Sequence, residues 1–255
     1  MYADNDLGTH PLFPGGFINF GYWEQTNADE KIRLIDRISS QVALYDRVLT
    51  PVTNRFGANL LEVDCGKGYG AMLAIYDHDA ASVVGVDASP QQIERSQKTI
   101  KGNLVGRVAF KHAEAEHLPF DDKSFDVIYS VEAIQHFHST KAFFSEAHRT
   151  LKTGGRISFC TFYATSDDAV VELQKSIQTY RDGLDTVLVK TGLEEGLKAT
   201  GFRNVGCENI GAHVWDGFTR WSYQVRPKEK WQDVSQWISA YQRGLIDYGI
   251  LTATK

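Results

Sequence analysis

The chain has 255 residues, 42% of them hydrophobic and 23% charged, with a formal net charge of −5. That length supports one well-buried α/β domain, the composition is that of an ordinary soluble globular protein, and the charge leaves no electrostatic footprint for nucleic acid. No apolar run approaches the ~18 residues of a membrane span, the acidic N-terminus is the wrong chemistry for a secretion signal, and Cys65, Cys160 and Cys207 read as reduced thiols of a cytoplasmic protein.

Residues 9 to 23 are dense in Pro, Gly and aromatics, too irregular for a helix and too apolar for a free tail, so they are expected to fold back onto the rest. From Asp29 to Phe56 apolar residues recur at helical spacing, with Pro51 as a break or a new first turn, which predicts front helices. Leu60, Leu61 and Val63 make a buried strand. Gly66, Gly68 and Gly70 follow as a turn, and Met72 to Tyr76 resume as a helix. Ser82 to Asp87 is a second strand, and Ser89 and Pro90 start a helix over Gln91 to Lys101. Strands are expected at Val108–His112, Phe125–Ser130 and Arg156–Phe162, with a helix from Ser139 to Leu151 closed by Gly154 and Gly155. Beyond them come helices at Ser166–Arg181 and Leu193–Thr200, a strand at Phe202–Ile210, an aromatic-rich helical cap, and a last strand at Tyr248–Ala253. This alternation implies a mainly parallel sheet with helices on both faces and its ligands at the carboxyl ends of the strands.

A strand, a glycine turn and a helix start make a nucleotide cradle, because glycine lets a ligand approach the backbone and the helix start offers unpaired N–H groups. Gly66, Gly68 and Ala71 also satisfy the dinucleotide fingerprint, so a nicotinamide or flavin enzyme fits this turn as well. Asp87, ending the second strand, suits a ribose diol.

Taken together, residues 57 to 162 resemble the class I S-adenosylmethionine-dependent methyltransferases, in the small-molecule branch typified by the methyltransferase type 11 domain. The resemblance rests on the run Glu62 to Gly68, on Asp87, on Glu114-Ala115-Glu116-His117-Leu118-Pro119-Phe120, and on Ser130 to Phe137. It implies a Rossmann-like seven-stranded sheet with an antiparallel last strand and a helical cap or lid. The whole chain would form one methyltransferase domain: lid and front helices over 1–56, a donor-binding core over 57–162, and cap insertions with C-terminal strands over 163–255. S-adenosyl-L-methionine would be the co-substrate, held by Glu62, Asp64, Gly66, Gly68, Asp87, Ala88, Gln92, Glu114, Ala115 and Ser130, with Tyr22 of the lid near its sulfonium. No metal site is assigned. One position departs from the family: Asp64 stands where the first motif has glycine. Either it points aside or accepts a hydrogen bond from the donor's ammonium, or it weakens the donor site.

Methyl transfer from a sulfonium needs alignment, exclusion of water and, for a hydroxyl acceptor, a base. His136 is the candidate base, against the plainer role of packing beneath the donor. Glu132 is the second candidate, against a salt-bridged helix start. The expected activity is methylation of a small, largely apolar acceptor, a hydroxyl of a secondary metabolite, by a monomer or homodimer without nucleic-acid or membrane partners. The alternatives are C- or N-methylation, a nicotinamide-dependent oxidoreductase, and a protein that keeps the donor as a non-reactive ligand. Removing the first 23 residues should open the site and leave the sheet folded.

Overall fold

A computed structural model describes residues 10–24, 30–52, 57–227 and 231–255. The expected front-helix limits at Asp29 and Phe56 and residues 1–9 of the expected lid lie outside that description. Seven strands, β1 (Asn59–Val63), β2 (Ser82–Asp87), β3 (Val108–His112), β4 (Phe125–Val131), β5 (Leu151–Ala164), β6 (Arg203–Asn209) and β7 (Ile246–Thr254), form one sheet in the order β3-β2-β1-β4-β5-β7-β6. β1 to β5 pair in parallel, while β7 runs antiparallel to both β5 and β6. The mainly parallel sheet and its antiparallel last strand are therefore as expected. Strand order reverses between β1 and β4, which opens a crevice at their carboxyl ends.

Both faces of the sheet are covered. Leu60, Val83, Val127 and Tyr129 pack into one core with Leu44, Val48 and Trp215, and Leu61, Val63, Val86 and Ile128 into another with Phe143 and Phe144. The alternation follows from the period of two along a strand. The glycine turn leads into α2 (Tyr69–Tyr76) through Gly68, whose φ of 79° is left-handed and where a Cβ would overlap the Phe110 ring. α3 (Pro90–Gln97) starts as expected, with Ser89 Oγ accepting the Gln92 N–H at 3.3 Å.

Four elements differ from expectation. Among the described residues the front region holds one helix, α1 (Leu34–Leu49), and Pro51 follows it in a turn. α3 stops at Gln97, short of Lys101, because the amides of Lys98 and Thr99 bond back to carbonyls three residues earlier and tighten the last turn. α4 (Thr140–Thr150) is not closed by the Gly154-Gly155 pair, which lies inside the irregular start of β5, where the pairing with β4 shifts register. The Ser166–Arg181 helix is two, α5 (Asp167–Ser176) and α6 (Gln178–Arg181), broken at Ile177, whose extended backbone (φ −99°, ψ 126°) carries a fully buried side chain. α7 (Lys190–Ala199) backs the second core.

The cap is built from α8 (Trp215–Val225) and α9 (Trp231–Gln242), joined by aromatic contacts such as Trp215 on Trp237 at 5.8 Å. Residues 10 to 24 fold back beneath it. Arg37 of α1 organises this strap: it is fully buried, and its guanidinium donates to the carbonyls of Leu12 (3.2 Å), Asn19 (2.5 Å) and Phe20 (3.0 Å). Phe20 is thereby wedged between Phe218 (ring centroids 4.0 Å apart) and Phe162 (5.8 Å).

Candidate active site

Three strand ends converge on the crevice. After β1 the chain turns through Asp64, at a left-handed φ of 63°, and Gly66, at 51°. The Gly66 amide donates to one oxygen of Asp87 at 2.9 Å and the Ser89 amide to the other at 2.8 Å, so the carboxylate that ends β2 ties two loops together. The Asp64 and Asp87 side chains are also hydrogen-bonded to each other. Two adjacent carboxylates resist joint ionisation. Burial raises the pKa of both. For Asp87, pushed up to about 8, burial is the larger cause and the charge of Asp64 the next. Glu62 lies beneath the turn, fully buried, accepting the Tyr129 hydroxyl at 3.2 Å, and burial pushes it up to about 8.

After β4 the backbone turns again at Glu132, with a φ of 53°. Its Oε1 accepts the Phe20 amide and the Tyr248 hydroxyl, each at 2.6 Å. Burial pushes this carboxyl up to about 7 against those hydrogen bonds and the nearby Arg37 charge. His136 closes the short 3₁₀ turn Ile134–His136. Its Nδ1 lies 3.1 Å from both Asp185 Oδ1 and the Leu184 carbonyl, and its Nε2 lies 3.3 Å from the Gln135 amide nitrogen. Two acceptors at Nδ1 place the ring proton there and leave Nε2 as the basic nitrogen. Asp185 is itself raised by burial, with the His136 charge opposing.

Asp64, Gly66, Asp87, Glu132, His136 and Asp185 border a cavity of about 870 Å³, within the size range of small-molecule sites. One wall is polar and close to backbone: Asp64, Gly66, Asp87, Ala88 and Gln92. The other is aromatic: Phe17, Phe20, Phe162, Phe218 and Trp237. A side cleft of about 120 Å³, reaching Glu114 and Ala115, shares Asp64, Asp87, Ala88 and His136 with the large cavity. His136 and Asp87 therefore stand where the two spaces meet.

The family model described as a methyltransferase domain, Methyltransf_11, matches residues 63–159, the segment that carries all of these strand ends except the cap and the strap. An O-methyltransferase of Pyrenophora dematioidea is 31% identical over 224 residues, covering 84% of this chain and 78% of that protein. The chain belongs to the class I S-adenosylmethionine-dependent methyltransferases. The 27-O-demethylrifamycin SV methyltransferase of Amycolatopsis mediterranei is 26% identical over 211 residues, covering 81% of this methyltransferase and 74% of its own length. Geranyl diphosphate C-methyltransferase from Streptomyces coelicolor superposes with a TM-score of 0.80 at 14% identity, over 99% of this chain and 95% of that one, and so shares the fold. The co-substrate is S-adenosyl-L-methionine, and the nicotinamide reading of the glycine turn is set aside by the family assignment.

The residues present fit this co-substrate. The backbone at Gly66 is open, with nothing within 4 Å of where a Cβ would stand, Asp87 is an acceptor at the wall, and a side cleft leads to Glu114 and Ala115. Of the methyltransferase's expected site residues, the structure brings Asp64, Gly66, Asp87, Ala88, Gln92, Glu114, Ala115, Glu132 and His136 to the two cavities. Glu62, Gly68, Ser130 and Tyr22 lie off their walls. Glu62 supports the turn from below and Gly68 packs on Phe110. Ser130 is spent on a 2.8 Å bond to the Val63 carbonyl that ties β4 to β1. Tyr22 stacks on His213, ring centroids 4.6 Å apart, under the Arg47 guanidinium, because Gly21 (φ 86°) turns the strap away from the cavity there. Phe17 and Phe20 occupy the strap's cavity face instead.

Three participants escape the sequence reading. Asp185 sits in a loop with no pattern of its own. Phe20 is one aromatic among many. Arg37 carried a signal, a cation on the same helical stripe as Leu44 and Val48, all of them buried. Among the described residues no helix is long and apolar enough to cross a membrane, and the three cysteines are unpaired.

Proposed function

We propose that this methyltransferase acts on a hydroxyl of a small, largely apolar acceptor, a secondary metabolite, with His136 as general base. The observation that supports it is the His136–Asp185 pair, 3.1 Å apart, at the meeting point of the polar wall and the aromatic chamber. When bound, S-adenosylmethionine supplies an electrophilic methyl group on a positively charged sulfur. Asp87 receives the ribose hydroxyls, Glu114 and the Ala115 amide read the adenine edge from the side cleft, and Gly66, Ala88 and Gln92 line the path between. His136 Nε2 takes the hydroxyl proton of the acceptor, while Asp185 holds Nδ1–H and stabilises the imidazolium that results. The aromatic wall takes the apolar body of the acceptor and keeps water out. Glu132 in this reading is a support and not a base, since its Oε1 already accepts two hydrogen bonds. A cytoplasmic setting accords with three unpaired thiols. O-methyltransferases among the relatives favour oxygen as the methylated atom.

The test is an acceptor panel of phenols, alcohols, amines and carbon nucleophiles incubated with donor, with S-adenosylhomocysteine formation measured and the methylated atom located by NMR. Methyl on oxygen, lost in His136→Ala, is the expected result; methyl on nitrogen or carbon would replace the reading with another acceptor class.

A further inference from the structure

Gln135 lines the large cavity beside His136, almost fully buried, and its neighbours hold the amide in one orientation. The Glu132 carbonyl, which can only accept, lies 2.7 Å from Nε2, so that atom is the amide nitrogen. The other end is Oε1, which accepts the buried Thr161 hydroxyl at 3.1 Å, a hydroxyl shared with the Phe162 carbonyl at 3.2 Å. One amide hydrogen is thus spent on Glu132, and the second is left to His136 Nε2 at 3.3 Å. That separation is just beyond the ordinary N–H range of about 2.7 to 3.2 Å, so the second hydrogen is held loosely. The Gln135 backbone carbonyl also accepts the Thr186 amide at 2.8 Å, which fastens the turn carrying His136 to the loop carrying Asp185.

An oxygen that donates its proton to His136 Nε2 stands about 2.8 Å from that nitrogen, and so within reach of the Gln135 nitrogen beside it. We infer that Gln135 is a second catalytic residue and selects oxygen over nitrogen: its Nε2–H donates to the acceptor's oxygen while His136 Nε2 takes that oxygen's proton. This rests on the base role proposed for His136. A hydroxyl oxygen has one hydrogen and two lone pairs. The hydrogen goes to His136, one lone pair attacks the methyl carbon, and the other accepts from Gln135. A neutral amine has a single lone pair, which the methyl carbon requires, so the Gln135 N–H finds no acceptor in it. As the proton leaves, negative charge grows on the oxygen, where an N–H already in place stabilises it. The step balances: the C–O bond forms, the methyl–sulfur bond breaks with its electron pair left on sulfur, and His136 later returns its proton to solvent.

The probes are 1-naphthol and 1-naphthylamine, equal in skeleton and different in the reacting atom. Gln135→Met keeps the length of the side chain and removes the N–H. In the full chain kcat/KM for the naphthol should fall about hundredfold, as for loss of one donor to a developing oxyanion, while transfer to the amine should not fall. A histidine ring displaced with its turn would slow both acceptors alike, so an unchanged oxygen-to-nitrogen ratio overturns the inference and leaves His136 as the base. A measurement on the wild type guards against a variant that fails to fold. With S-adenosylhomocysteine bound, the Gln135 side-chain amide followed by ¹⁵N-resolved NMR should show its proton moving downfield on addition of 1-naphthol and not of 1-naphthylamine; equal responses overturn the inference. Transfer by the wild type to nitrogen and none to oxygen would instead remove the hydroxyl reading, and this inference with it.

Discussion

The amide of Phe20 donates to Glu132 Oε1 at 2.6 Å, across 112 residues of sequence. One end of this bond belongs to the strap over the cavity and the other to the turn after β4, four residues before His136. The same Phe20 gives its carbonyl to buried Arg37, so strap, front helix and cavity floor are fastened at one point. Opening the strap means unpairing a carboxyl and a guanidinium that are both out of water.

Glu132→Ala removes the acceptor for Phe20 N–H and Tyr248 O–H and takes away a carboxyl that acts electrostatically on Arg37. A loss of about 2 to 4 kcal/mol in unfolding free energy is expected, from two orphaned donors and a buried cation. Urea unfolding of this variant against Glu132→Gln, whose amide oxygen still accepts, checks it; equal stabilities would show that the bond is incidental.

Truncation at Trp23 now carries a different expectation from the one drawn from sequence. Arg37 would lose three carbonyl partners while its charge stayed in the core, where burial already lowers its pKa to about 9. The truncated chain should unfold several degrees lower in a thermal melt, as expected for ~2 kcal/mol or more in a chain of this size. A truncated protein melting with the full chain would restore the simple lid.

His136→Ala should lower turnover ~10² to 10⁴-fold with donor affinity nearly unchanged. Asp185→Asn should act in the same direction and more weakly, since it removes only the charge beside Nδ1 and leaves the Leu184 carbonyl as an acceptor. In both variants, acceptors with more acidic hydroxyls should be spared, because they need less help in losing the proton. A uniform loss across the acceptor series would point to packing in place of proton transfer.

Asp87→Ala should weaken donor binding by ~1.5 to 3 kcal/mol through lost hydrogen bonds to a charged acceptor. Part of that loss will come from the loops themselves, since the Gly66 and Ser89 amides lose their shared partner. Calorimetry distinguishes the site role from the structural one: an unchanged affinity would take Asp87 out of the donor site.

Glu62, Asp87 and Glu132 all sit above the ordinary carboxyl range, at about 8, 8 and 7, with burial the first cause in each. The folded state then holds protons that the unfolded chain has already released, and stability falls as pH rises. The decline should begin near the unfolded values of about 4 to 4.5 and be complete once pH passes about 8. Melting temperatures at intervals from pH 5 to 9 test the sign, and Glu132→Gln should flatten part of the slope. A melting temperature rising across that window would contradict the buried placement of these acids.

Much of the architecture was legible in local pattern. β2 and β3 fall on the residues that alternation and β-branching marked, and Ser89 caps α3 because a short hydroxyl before Pro90 can do little else. The elements that differed are those where tertiary packing outweighs local preference: Ile177 breaks a helix to reach the core, and Gly154-Gly155 serve a strand entry rather than a helix end.

The glycine turn, the acid at Asp87 and the sheet that presents them are properties of contiguous stretches, so the chain's own order of residues determined the fold and the cradle. What only the tertiary structure decided is who meets whom across long separations: Asp185 with His136, Phe20 with Glu132, Asp64 with Asp87, and Tyr22 turned to His213 and away from the cavity. Strand and helix periodicity reports which face a side chain takes. It is silent on the distance between loops, which is set by strand order and by where buried charges such as Arg37 find their partners.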